Sequence, residues 1–149
     1  MAKTVSSWSQ LQKVIQEKID SSLENEVAEH TKDEIQSSLS EVVYSSYEPK
    51  IYERRKYGDG GLGDRETMDS KLVKSGELEV IPNALPKTGG GLDNDYSLAY
   101  NIAHGYGNKN QPWNKPRDFV ENARENLRND GSLREVMVDA LRKRGLDAQ

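Results

Sequence analysis

The chain contains no cysteine, which excludes disulfides and thiolate metal sites and is compatible with a reducing cytoplasm. It has a single phenylalanine, and Leu, Ile, Val and Phe together supply about a fifth of the residues, near the border below which chains stay disordered. The core must therefore be thin, and neighbouring copies are expected to help cover apolar surface. No apolar run approaches about 18 residues, so no membrane span is expected, and the polar start Met1-Ala2-Lys3-Thr4 does not read as a signal peptide. A soluble protein made inside a cell is expected. Positive charge is not in excess either. The net charge of -4 argues against a general nucleic-acid binder. The two histidines, His30 and His104, stand far apart with no partner at ligand spacing, and no serine sits in a Gly-x-Ser-x-Gly elbow. No catalytic, cofactor-binding or metal-ligating residue is expected, and so no enzyme.

What is present fits one domain, residues 1–149. Residues 1–45 read as helix, because Leu11, Ile15, Ile19, Leu23, Val27, Thr31, Ile35, Leu39 and Val43 recur at intervals of four. Each such step overshoots a 3.6-residue turn by roughly 40°, so eight steps rotate the stripe by about 320°. One flat partner cannot cover that. Either the helix breaks near His30-Thr31-Lys32-Asp33, or its two ends meet different surfaces, one its own sheet and one another subunit; the second reading is preferred. A single amphipathic helix on its own core is the plainer alternative. His30 falls on the polar face and is expected in solvent.

Residues 46–65 form a Tyr-, Arg- and Gly-rich loop, in which Gly58-Asp59-Gly60-Gly61-Leu62-Gly63 lacks the preceding strand and closing Lys-Ser or Lys-Thr of a phosphate cradle and reads as a flexible turn. A small sheet is expected over 66–105: Thr67 to Val73 and Glu77 to Ile81 flank Lys74-Ser75-Gly76 as a hairpin, and Tyr96 to Ala103 reads either as a short helix, from the Leu98 to Ile102 spacing, or as a strand, from the alternation of Tyr96, Leu98 and Tyr100; a third strand is preferred because two strands alone are marginal. Glu77 and Glu79 are expected to point outward without basic partners. Over 114–145 two helices follow, the first opened by Pro116 and carrying Phe119, Ala123 and Leu127, the second opened by a Ser132/Glu135 capping box and ended at Gly145. Arg142, Lys143 and Arg144 then sit where cations offset the helix dipole. The fold class is α+β: a long N-terminal helix, a small antiparallel sheet with a hairpin, and two C-terminal helices.

The most distinctive stretch is Tyr44 to Tyr57, which packs four tyrosines and Arg54-Arg55-Lys56 into fourteen positions. Tyrosine and arginine are enriched at buried contact centres between proteins, since each offers a broad face with a hydrogen-bonding tip. The same basic triplet between Tyr52 and Tyr57 could neutralise phosphates and stack on bases, so a small nucleic-acid-binding accessory protein is the alternative.

Two blocks are similar to the small tail-completion, or head-tail joining, proteins of long-tailed bacteriophages. The first runs from Val43 through Tyr44, Tyr47, Pro49, Tyr52, Arg54 and Arg55 to Gly60-Gly61-Leu62 and Asp64. The second runs from Ile102-Ala103-His104-Gly105-Tyr106-Gly107 through Trp113 to Pro116-Arg117-Asp118-Phe119 and Glu121-Asn122, with Asp118 where such proteins often carry a second proline. The resemblance implies a non-enzymatic ring of identical subunits in the virion neck, made in the host bacterial cytoplasm. Its partners would be further copies of itself, the head-side connector and a tail terminator or tube protein, with DNA passing through the lumen unread. On that reading Tyr47, Pro49, Tyr52, Arg54 and Arg55 make inter-subunit or neck contacts, while Trp113, Pro116, Arg117 and Phe119 dock the C-terminal helix; for Trp113 and Phe119 simple core filling is the competing assignment.

Overall fold

A computed structural model describes residues 5–46, 48, 56–85, 97–105 and 115–149. A rod some 37 residues long leads the chain. It comprises α1 (Trp8–Ser22), a π turn (Leu23–Val27), α2 (Ala28–Leu39) and a second π turn (Ser40–Tyr44), with right-handed helical backbone at every junction. The helix does not break near His30; α2 runs straight through it. The drifting stripe is accommodated by the π turns instead. Each absorbs one additional residue, which winds the following face back by on the order of 100°. The first takes about 100° off the drift, and the second, at the end of the stripe, turns Val43 further back, which narrows the face to be covered. All nine stripe residues are accordingly buried or half-buried.

Two different surfaces do cover the rod, and both belong to this chain: α4 (Phe119–Asn129) lies against α2, and α5 (Ser132–Lys143) against α1 and the first π turn. Phe119, Ala123 and Leu127 are the buried face of α4, as their spacing predicts. Pro116 is not in that helix. Asp118 caps it, accepting the Glu121 N–H at 2.9 Å, which leaves Pro116 outside and exposed. The capping box on α5 does not form either. Gly131, with φ of 75°, is the capping residue, so Ser132 is already helical; Asp130 accepts its N–H at 2.8 Å. The Ser132 hydroxyl is bonded instead to His30 Nε2 at 2.8 Å, and His30 is half-buried between α2 and α5, not solvated.

The sheet is a two-stranded hairpin, β1 (Met68–Lys74) and β2 (Glu77–Pro82), pairing Met68 with Pro82 and Leu72 with Leu78. It lies along the rod, which supplies the apolar support that a lone hairpin lacks. Its tip is held by Asp20, which accepts from Ser75 Oγ at 2.7 Å and Gly76 N–H at 2.8 Å. Glu77 and Glu79 do have basic partners, Lys74 at 2.7 Å and Lys71 at 3.3 Å.

The expected third strand is a helix, α3 (Leu98–His104). Ser97 accepts the Tyr100 N–H as its cap, and Gly105 closes it in the left-handed conformation with φ of 71°. Ala99 and Ala103, one turn apart, are both buried, so the period-four signal outweighed the tyrosine alternation. One buried cluster unites the elements: Ile35, Leu39 and Val43 from the rod, Leu62, Met68, Ala99, Phe119 and Ala123.

Candidate assembly surface

Tyr44 ends the rod, and its ring meets that of Tyr57 edge-to-face, with centroids 5.7 Å apart and planes at 83°. Its hydroxyl donates to the Lys56 carbonyl at 3.2 Å. The outermost tyrosines of the distinctive segment are thus paired, and its two ends are pinned at one place on the molecule.

The glycine-rich stretch beyond is a hydrogen-bonded turn. Asp64 is its organiser: buried, it accepts the Gly60 N–H at 2.9 Å and the Glu66 N–H at 3.0 Å. Gly63 donates to the Lys56 carbonyl at 2.9 Å and accepts from Gln36 Nε2 at 2.6 Å, which fastens the turn to α2. A side chain at Gly63 would place its Cβ 2.6 Å from the Tyr57 ring, so only glycine lets that ring lie where it meets Tyr44. Lys56 and Asp59 hold φ of 46° and 52°, a conformation that non-glycine residues rarely keep without over-determining contacts. Next in sequence, Arg65 bonds Asp33 and reaches Glu29 at 2.7 Å; these bonds raise its pKa, with Asp33 the larger cause, and the bond to Arg65 lowers that of Glu29.

The second block arrives at the same place. The Arg117 N–H donates to the Ile102 carbonyl at 3.2 Å, and Arg117 Nη1 donates to Ser46 Oγ at 3.2 Å, one position before Tyr47. Phe119 is completely buried in the cluster with Leu62 and Val43, so it docks α4 by filling the core. Tyr100 and His104 stack on the outer face of α3, with centroids 4.1 Å apart and His104 in the last helical turn. Of the residues singled out in the sequence, Arg117 and Phe119 are brought together with the tyrosine pair and Pro116 stays outside in solvent. Tyr47, Pro49, Tyr52, Arg54, Arg55 and Trp113 lie outside the described residues.

Sequence reasoning missed Arg65 and the contacts made by Asp64 and Arg144. Asp64 carried a weak signal, an acid directly before Arg-Glu-Thr at a turn end, which suits a cap. Arg144 bonds Glu26 Oε1 at 2.9 Å and the Ser21 carbonyl at 3.2 Å, while its own carbonyl accepts from Lys18 at 2.6 Å. It keeps its place at the helix end, donating to the Ala140 carbonyl at 3.0 Å, and is in addition a clamp between α5 and the rod, whose partners lie over a hundred positions away. Among the described residues no group of His, Cys, Asp and Glu could hold a metal, and no helix is long and apolar enough to cross a membrane.

A family model described as YomN matches residues 7–143. No curated protein and no solved structure matches the chain.

Proposed function

The chain belongs to the YomN family, a phage-derived family, and on that premise we propose that it is a structural protein of the virion neck. In this reading copies form a ring that joins the DNA-filled head to the tail, and DNA passes through the lumen without being read. The observation that carries the proposal is the convergence of its two distinctive blocks, through Arg117 and Ser46 at 3.2 Å, at one end of the helical rod. A contact surface gains affinity when its aromatic and arginine groups stand on a preorganised base, because less ordering entropy is lost on docking. Tyr44, Tyr57, Gly63 and Asp64 form such a base. Tyr47, Tyr52, Arg54 and Arg55 then contact neighbouring subunits or the connector. No step of chemistry is asked of any residue.

The test is electron microscopy of lysates from the parent phage with this gene deleted. Filled heads separate from complete free tails are expected. Normal virions would overturn the neck role. In that event, duplex binding with a steep salt slope that is lost with Arg54 and Arg55 would identify the accessory protein instead. Empty heads or absent tails would move the protein to packaging or tail building.

A further inference from the structure

The rod ends without a left-handed residue. Its last turn, Ser40–Tyr44, holds no basic side chain, and Ser45, which closes it, keeps right-handed helical backbone with φ of -70° and ψ of -26°. A helix that stops on glycine satisfies its last carbonyls by turning left-handed, as α3 does at Gly105. Here two adjacent hydroxyls take that part. The Ser45 N–H donates across five residues to the Ser40 carbonyl at 3.0 Å, so the Glu41 carbonyl, which an α-helix would pair with that N–H, accepts from the Ser45 hydroxyl instead. The Ser46 hydroxyl donates to the Val43 carbonyl at 2.7 Å.

Thr31 makes a similar bond to the Val27 carbonyl at 2.8 Å within α2, so a hydroxyl bonded one turn back does not by itself widen a helix. The wide turn keeps Val43 in the buried cluster, and the serines supply donors to the carbonyls that it leaves over. A hydroxyl has one proton. Ser46 gives its own to Val43, so its oxygen meets Arg117 as an acceptor, taking Nη1 at 3.2 Å. Next to Ser45 stands Tyr44, whose ring meets Tyr57 with centroids 5.7 Å apart. The two serines thus link the rod to both of the distant contacts made at its end.

We propose that Ser45 and Ser46 are positioning residues of the assembly surface: as a paired hydroxyl cap they hold the last turn of the rod so that Tyr44 faces Tyr57 and Ser46 meets Arg117. Both serines are exposed, and neither belongs to the buried cluster. Without their hydroxyls the turn loses two of the bonds that close it and frays, as helix ends do when their carbonyls lack donors. Val43 stays, because the cluster holds it. The cap therefore governs where Tyr44 stands, not whether the chain folds. The inference rests on the neck reading above and deepens it by naming what holds the surface ready, since a surface that must be ordered during docking binds more weakly.

Nuclear magnetic resonance of the isolated full chain decides the positioning, using wild type, the double variant Ser45→Ala/Ser46→Ala, and Ser45→Thr/Ser46→Thr, which keeps both hydroxyls. Wild type is expected to show cross-peaks between the Tyr44 and Tyr57 rings and slow exchange of the residue 45 amide. The alanine pair is expected to lose the cross-peaks and to exchange at least about tenfold faster at that amide, with a thermal midpoint within about 4 °C of wild type. The threonine pair should restore both signals. Cross-peaks that survive in the alanine pair would overturn the proposal. So would a midpoint that collapses with them, because the hydroxyls would then be holding the fold. In a deletion phage supplied with each variant, joined particles are expected to fall about tenfold with the alanine pair and to recover with the threonine pair. Undiminished joining despite lost cross-peaks would remove the cap from assembly and leave the neck role, whereas normal virions on deletion would remove the role while the spectra still judge the cap.

Discussion

Phe119 shows how much one residue can carry in a thin core. It is the single phenylalanine and is fully buried where α4 meets the rod and Leu62, so Phe119→Ala is expected to cost about 3–5 kcal/mol. Urea unfolding would read this as a fall in midpoint at unchanged slope. Glu26 makes a pH-dependent contribution of known sign. Its bond to Arg144 holds the carboxyl below its ordinary value of 4.5, so the stabilisation is complete above that value and is lost as pH falls through the lower folded-state value. Glu26→Gln is therefore expected to lower the urea midpoint at neutral pH, and its gap to wild type is expected to narrow as pH falls below the ordinary carboxyl value of 4.5. A gap that keeps its size as pH falls would show that Arg144 does not act through the charge.

At the scale of elements, the π turns are what allow a period-four stripe to face one body. A residue removed from a π turn restores a plain α-helix without rotating either flank, whereas removal from a regular helix turns everything beyond it by about 100°. Deleting the exposed Asn25, inside Leu23–Val27, is thus expected to leave a folded protein with a modestly lower melting temperature. Deleting the exposed Ser37, inside α2, should abolish cooperative unfolding, since it would swing Leu39 and Val43 out of the core. Circular dichroism melts of the two deletions check this, and equal tolerance would refute the phase argument. The period-four spacing was legible as helix, but not that the helix would under-wind; nothing in Leu23-Glu24-Asn25-Glu26-Val27 marks a π turn. The third strand failed for a related reason. The Leu98 to Ile102 spacing fitted a helical turn, yet a strand was preferred to complete a marginal two-stranded sheet, which the rod supports instead.

For the whole molecule, the neck reading predicts that Arg55→Ala weakens assembly and spares the fold. The yield of joined particles should drop while the thermal midpoint of the isolated protein stays unchanged; an unaffected yield would argue that Arg55 is simply a solvated charge. Part of the proposed surface was readable in advance, because Tyr44 to Tyr57 and the Pro116 to Phe119 block stand out by composition. Their meeting was not. It depends on Arg117 reaching Ser46 from 71 positions away, a span that leaves no local trace, and on Gly63 admitting the Tyr57 ring.

By itself the sequence determined what local physics controls: the helical rod, the hairpin and its turn, the buried face of α4, the α+β class and the lack of thiolate chemistry. Periodicity, turn residues and composition act over a few positions and need no partner. Tertiary structure decided where polar side chains spend their hydrogen bonds. It assigned His30 to Ser132, Arg144 to Glu26 and the Asp64 carboxylate to the Gly60–Glu66 turn, and it closed the tyrosine segment on itself. Each of those choices follows from which surfaces the rod's winding brings face to face, since a polar group leaving water must take the partner that packing supplies.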